Sequence, residues 1–377
     1  MTPKPAILFI SSPDLSSELY QTTIKNEFEV VNYDFQSSNP QDFLNFLGDN
    51  FDVDSKPLTA IYGGFPSFHP IGGLTEALIE DKLFPKDTIK CIVLCSRGVN
   101  GIDIHALKRH SIKLFNYNDE PDSCSEKNRA LKKAGVVGND VADCVLWHIL
   151  EGYRKLSYQQ RHLRVTRNTL TSRLAAAGKS PDLKEFSFGH ELVSCCAESP
   201  RDKKALILGL GGIGKQIALK LHHGLGMQVH YAKRTCDKEV PWFYHPLDAS
   251  IHDKLSQFST VVVALPGTTE TKHLIDKKFL SYCSRDLVLV NIGRGWILEP
   301  DAIQSALKGG QIRHLGIDVF YNEPVVEEWL AEDTARVSIT PHVGSGTKDN
   351  FYQSCEFALN NIIEVVLHNS NGYSRVV

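Results

Sequence analysis

Residues 204–221 read KALILGLGGIGKQIALKL, and this stretch decides the fold. An apolar strand, KALIL, runs straight into Gly209-Leu210-Gly211-Gly212-Ile213-Gly214, which opens an amphipathic helix. Each glycine of this GxGxxG has its own task. Gly209 allows the tight turn, Gly211 lets a pyrophosphate approach the backbone, and Gly214 lets the helix pack closely on the strand. The helix start adds N–H groups and the positive end of its dipole, with Gly212 and Ile213 at the approach to the phosphates. Strand, glycine turn, helix and a second strand together predict a dinucleotide site, where GxGxxG alone would be a weak signal. The competing reading is a glycine-rich turn kept only for packing.

The second strand, MQVHYAKRT (residues 227–235), bears on which dinucleotide is bound. NAD sites commonly end this strand with a carboxylate that accepts from the adenosine ribose and repels a 2′-phosphate. Ala232 stands at that place, followed by Lys233, Arg234 and Thr235, two cations and a hydroxyl suited to a phosphate dianion. NADPH is therefore the expected cofactor, with NADH as the other candidate. The bland alternative makes Lys233 and Arg234 solvated loop charges.

Working outward, Val-, Ile- and Leu-rich runs alternate with helix-length amphipathic stretches, the pattern of an α/β protein with parallel sheets. One series comprises PAILFI, EVVNYD, LTAIYGG, IKCIVLCS and IKLFNYN (between residues 5 and 118). The other begins at KALILGLG and continues through TVVVALPG, LVLVNIG, HLGIDVF and VSITPHV, ending at residue 343. Residues 139–165 between them read as one connecting helix, and residues 350–366 as a return helix on the first series. Polar stretches at Asp119 to Lys133 and Leu170 to Lys184 read as surface loops. The expected division is a substrate domain of residues 1–138 and 343–377, interrupted by a dinucleotide-binding domain of residues 139–342.

A chain of 377 residues suits two such domains. With 42% hydrophobic and 23% charged residues and a net charge of -3, it is neither disordered nor a basic nucleic-acid binder. Its apolar runs are short and broken by Gly or Pro, and its start lacks a signal-peptide pattern, so no membrane partner or export is expected. Nine cysteines without a CxxC pair indicate free thiols in a reducing, cytoplasmic setting, the neighbours Cys195 and Cys196 included; no metal is expected.

Three later strands end in polar motifs: NIGRG (residues 291–295), DVFYNEP (318–324) and TPHVGSG (340–346). Ligands of an open α/β sheet sit at the carboxyl ends of its strands, so Arg294, Glu323 and His342 would reach the same edge as the glycine turn. Singly, each has a bland reading as a surface charge, a turn residue or a structural histidine. Their joint occurrence behind a nucleotide turn favours function. Hydride addition to a carbonyl makes an alkoxide, which needs a cation and a proton donor, and this set supplies both.

These motifs, with ALPGTTETKHLI (residues 264–275) and, more weakly, CSRGVNGIDI (95–104) and VADCVLWHIL (141–150), resemble the D-isomer-specific 2-hydroxyacid dehydrogenase family. The resemblance implies a Rossmann cofactor domain inserted into a flavodoxin-like substrate domain, an active site in the cleft and a homodimer. It implies that Arg294 binds the substrate carboxylate and polarises the keto oxygen, that His342 is the general acid, and that Glu323 orients and charges the imidazole. Asp318 would face the nicotinamide carboxamide, with Leu265, Pro266, Thr271, Ile292 and Gly344 also around the cofactor. Arg97 and Gly98 would offer backbone N–H groups to the substrate.

Several positions depart from the family pattern. Arg97 replaces a small or apolar residue, Asp143 replaces Glu, and SCCAESPRDKK (residues 194–204) is an unusual approach to the glycine strand. None is a catalytic position; they put the substrate, rather than the chemistry, in question. The implied activity is reduction of a small 2-keto acid such as glyoxylate or hydroxypyruvate to the D-2-hydroxy acid. Glu323 counts against formate dehydrogenation, which needs no proton donor. A corepressor-like protein that senses dinucleotide on the same fold is the alternative from a different class.

Overall fold

A computed structural model describes residues 4–119, 135–180, 186–193 and 195–377. The chain forms two compact units, Met1–Val136 with Lys348–Val377, and Val137–Thr347. Each is built on a parallel sheet.

The first sheet has strands β1 (Ala6–Ile10), β2 (Glu29–Tyr33), β3 (Leu58–Gly63), β4 (Cys91–Leu94) and β5 (Lys113–Phe115). Their order, β2-β1-β3-β4-β5, is that of flavodoxin-like folds. Every residue of β1, β3 and β4 is buried, as expected of strands covered on both faces. One face takes Phe43, Leu44 and Leu47 of the helix Pro40–Asn50, whose first turn is capped by the Asn39 side chain. The other takes Cys355, Ala358, Leu359 and Ile362 of the C-terminal helix Lys348–Val366. The last residues then close the β5 edge, where the Leu114 N–H donates to the Val377 carbonyl and the Val376 N–H to the Leu114 carbonyl.

The second sheet contains β6 (Lys204–Leu208), β7 (Gln228–Lys233), β8 (Phe243–Pro246), β9 (Thr260–Val263), β10 (Leu287–Asn291), β11 (Ile312–Ile317) and β12 (Val337–Ile339). The order β12-β11-β10-β9-β6-β7-β8 is the doubly wound Rossmann arrangement with one added edge strand. It reverses between β6 and β9, so the turn after β6 lies at the topological switch point. Short β8 was not expected from FYHP, which is not an apolar run; pairing with β7 creates it, His230 facing Phe243 in register.

Two expectations are corrected. Residues 139–165 form two helices, Val136–Arg154 and Leu156–Thr166, broken at Lys155 with φ 50°. The Glu151 carboxylate caps the new helix by accepting from the N–H and hydroxyl of Ser157 (3.1 and 2.9 Å), while Lys155 turns inward. The stretch 170–184, expected as a loop, contains the helix Thr169–Ala176, with Asn168 accepting from the N–H groups of Leu170 and Thr171. Residues 181–185, like 120–134 of the other expected loop, lie outside the described residues. Among the described residues no helix is long and apolar enough to cross a membrane, and no cluster of potential metal ligands occurs.

Candidate active site

The glycine turn of the second unit shows three different constraints. Gly209 has φ 96°, and a Cβ there would lie 2.7 Å from the Ala264 carbonyl oxygen. A Cβ on Gly214 would collide with the Gly209 carbonyl, so helix and turn meet without room for a methyl group. A Cβ on Gly211 would meet nothing within 4 Å. The space over Gly211 is open on the side where the helix Gly212–Leu225 begins, with Ile213 in its first turn. Tight turn, close packing and open approach are what a pyrophosphate cradle requires, so the residues fit a dinucleotide.

Ala232, at the adjacent end of β7, accepts a hydrogen bond from the Gly209 N–H (2.9 Å) and is fully buried. Lys233 is half-buried, and Arg234 and Thr235 are exposed. Asp237, the nearest carboxylate in the chain, pairs with Lys215 at 2.9 Å. That bond, with further hydrogen bonding and the charge of Lys233, lowers its carboxyl pKa. The strand end thus presents cations, with its acid tied to a helix lysine.

Arg294 projects from the loop after β10, which Asn291 shapes. The buried Asn291 amide donates to the Arg294 carbonyl (2.9 Å) and accepts from the Gly293 N–H (3.1 Å). Gly293 and Gly295 allow close contact with Leu265 and with the Phe320 backbone; a Cβ on either would clash. The Arg294 guanidinium donates to the Gly293 carbonyl (2.7 Å) and has no ion-pair partner among the described residues. Burial lowers its pKa, with Glu323 opposing the shift.

His342 stands at φ 52° after Pro341, its N–H donating to the Thr340 carbonyl (2.9 Å). Its Nδ1 lies 3.0 Å from Oε2 of Glu323, whose Oε1 accepts from the Phe320 N–H at 2.8 Å. The Glu323 hydrogen bond raises the imidazole pKa against partial burial. Burial pushes the Glu323 carboxyl up, but the bonds from His342 and Phe320 outweigh it and the net shift is down. With Nδ1 engaged, Nε2 is the free end of the ring.

Asp318 is 3% exposed and clamps this loop. Its carboxylate accepts from the Thr340 hydroxyl (2.6 Å) and from the N–H groups of Val343 and Gly344 (both 2.9 Å). Nearby, the Thr271 hydroxyl donates to the Pro266 carbonyl (2.8 Å), and the Ile292 N–H donates to the Val263 carbonyl (3.1 Å), tying the loops after β9 and β10 to their strands. Leu265 is buried beneath them. Arg97 and Gly98 belong to the first unit, where the Arg97 guanidinium donates to Asn118 (3.0 Å) and the Ser96 hydroxyl to the Gly98 carbonyl (3.0 Å).

Sequence reading missed Asn291 and Thr340. The signal for Asn291 was present, a polar residue ending the apolar run LVLVN. Nothing local marked Thr340, whose partner Asp318 follows a different strand, β11.

Residues 173–344 match the family described as D-isomer specific 2-hydroxyacid dehydrogenase, NAD binding domain. A Saccharomyces cerevisiae protein named as a 2-hydroxyacid dehydrogenase is 50% identical over 384 residues, covering 100% of this chain and 98% of its own. A glyoxylate/hydroxypyruvate reductase B of Pectobacterium carotovorum is 34% identical over 157 residues, 42% of this chain and 49% of that one. Among solved structures, Rhodotorula graminis D-mandelate dehydrogenase superposes with a TM-score of 0.79 at 23% identity, covering 99% of this chain and 98% of its own. A Sinorhizobium meliloti NADPH-dependent glyoxylate/hydroxypyruvate reductase, solved with NADP and malonate, gives 0.72 at 23% identity, covering 99% and 97%. At that identity the likeness is one of fold. The chain belongs to the D-isomer specific 2-hydroxyacid dehydrogenase family, a family of NAD(P)-dependent oxidoreductases.

Proposed function

We propose that this protein is an NADPH-preferring reductase that converts a small 2-keto acid, of the glyoxylate or hydroxypyruvate kind, to the D-2-hydroxy acid. One observation carries the reading: a partly desolvated Arg294, with no ion-pair partner among the described residues, shares the strand-end edge with a His342–Glu323 pair held at 3.0 Å. A guanidinium in that state is suited to a substrate carboxylate, which it can hold through two parallel hydrogen bonds. It also polarises the neighbouring keto oxygen.

The reduced dinucleotide, when bound, supplies hydride to the carbonyl carbon. The negative charge that develops on oxygen is met by Arg294 and by a proton from Nε2 of His342. Glu323 keeps the ring oriented and favours its charged form before transfer. Asp318 holds the main chain of the His342 loop through Val343 and Gly344, which fixes the direction of the donor nitrogen. Lys233, Arg234 and Thr235 are assigned to the 2′-phosphate of NADPH, and Gly209, Gly211, Gly212, Ile213 and Gly214 to the pyrophosphate.

A homodimer in a reducing, cytoplasmic compartment is the expected setting. The homodimer is supported by the exposed apolar side chains of Leu163, Val165 and Leu170 on the short helices of the cofactor unit. Sedimentation would give the subunit number.

The test is turnover with both reduced cofactors over glyoxylate, hydroxypyruvate, and a branched and an aromatic 2-keto acid, with chiral analysis of the product. Higher kcat/KM for NADPH and a D product are expected. Cofactor binding without oxidation of either cofactor on any of these acids would replace the reductase with a dinucleotide-sensing binding protein.

A further inference from the structure

Behind the reacting groups, the cofactor unit contains an unbroken line of polar side chains, buried except for half-buried Thr340, that the proposed chemistry does not use. Lys155 Nζ lies 2.8 Å from His314 Nδ1, and His314 Nε2 lies 2.8 Å from the Ser338 hydroxyl. That hydroxyl lies 2.7 Å from His148 Nδ1, and His148 Nε2 lies 3.2 Å from the Thr340 hydroxyl. Thr340 then donates to Asp318 at 2.6 Å, and Asp318 clamps the loop of His342. Lys155, His148, His314 and Asp318 are each no more than 3% exposed.

The two ends fix the direction of every bond. A lysine ammonium only donates and a carboxylate only accepts. His314 must accept at Nδ1 and donate from Nε2 to Ser338. Ser338 donates to His148 Nδ1, and His148 donates from Nε2 to Thr340. Both imidazoles are then neutral Nε2–H tautomers, in agreement with burial, which lowers His148 to about 4 and His314 well below its ordinary value. The one other direction the chain can take, open to it when its first donor is withdrawn, moves each imidazole hydrogen from Nε2 to Nδ1 and turns the Thr340 hydroxyl from Asp318 to His148 Nε2.

Lys155 is where that donor could be withdrawn. A cavity of about 190 Å³ lies beside it, lined also by Glu151, Tyr158, Arg161, His314 and Ser338. Among the described residues Lys155 has no carboxylate partner within ion-pair distance, and burial lowers it to about 8. Exposed Arg161 adds a second cation, donating among the described residues only to the Thr334 hydroxyl (3.0 Å). The one carboxylate of the lining, Glu151, is engaged by the N–H and hydroxyl of Ser157. Two cations, one of them desolvated, thus line a space whose one carboxylate is held by Ser157.

We propose that this cavity binds a small oxyanion between Lys155 and Arg161, and that the directed chain couples its occupancy to the loop carrying His342. An anion draws the ammonium hydrogen off His314 Nδ1, which frees the chain to reverse and changes what Thr340 offers to Asp318.

The ring signals of His148, His314 and His342, assigned through single histidine variants in isotope-labelled full-length protein, report the site without turnover. They are therefore independent of whether the reductase assignment holds. Inorganic phosphate and sodium acetate are titrated separately, to tell a phosphate-type ligand from a carboxylate. A saturable shift of His314 with at least one of them is expected, abolished in Lys155→Met and weakened at least tenfold in affinity in Arg161→Gln. Arg161 is exposed, so the second variant keeps the test intact if the first fails to fold. In Ser338→Ala the His314 response should persist while those of His148 and His342 disappear. No response of His314 to either anion, or one unchanged in Arg161→Gln, overturns the site. A His342 response undiminished in Ser338→Ala overturns the coupling.

Discussion

At the scale of the residue, the proton donor and its partner set the pH behaviour. The Glu323 hydrogen bond raises the His342 pKa, so the imidazole stays charged to higher pH than a free histidine. Reduction consumes the charged form. Its kcat/KM should be level on the acid side and fall as pH rises through the raised pKa, whereas oxidation of the hydroxy acid should rise over the same range. Glu323→Gln should move both limbs toward lower pH; limbs that stay in place would remove Glu323 from the role. His342→Gln should cut kcat by about 10²- to 10⁴-fold with the NADPH Kd nearly unchanged, as rapid-mixing and titration would show. Arg234→Ala should weaken NADPH by about 10- to 100-fold, the loss of a charge-assisted phosphate contact, and leave NADH nearly unaffected.

At the scale of the element, the glycine turn separates folding from binding. Gly214→Ala drives a methyl group into the Gly209 carbonyl and should cost about 1–3 kcal/mol of stability as well as cofactor affinity. Gly211→Ala meets open space, so its melting temperature should hold while NADPH affinity falls. Thermal melts and cofactor titrations of the two variants side by side would show the contrast. These glycine roles were legible from spacing alone, because a strand, a turn and a helix impose them locally. The break at Lys155 was not. Its cause is an inward lysine meeting His314 on β11, a contact that no window of residues 139–165 contains.

At the scale of the whole molecule, the chain's ends complete the first unit. Leu359 is fully buried against that unit's sheet, and Leu359→Ala should cost about 2–5 kcal/mol. All four tryptophans, Trp147, Trp242, Trp296 and Trp329, lie in the cofactor unit, so indole fluorescence reports its unfolding alone. Leu359→Ala should lower the transition seen by far-ultraviolet circular dichroism and leave the fluorescence transition in place. Saturating NADPH should raise the fluorescence transition, by about 2.7 kcal/mol of stability at a hundred times Kd. A shared shift in both signals would mean that the two units unfold together.

The sequence by itself determined the two parallel α/β series, the nucleotide turn and the motifs bearing Arg294, Glu323 and His342. Each depends on hydrophobic period, glycine spacing or strand-end position, which are properties of short windows. Only the tertiary structure decided the 3.0 Å pairing of His342 with Glu323, the clamp of Asp318 on the His342 loop, the edge strand β8 and the buried line from Lys155 to Thr340. Those features join side chains from separate strands and helices. Buried polar groups find whatever partners the packed sheet brings within reach, and the linear order of residues does not record which those are.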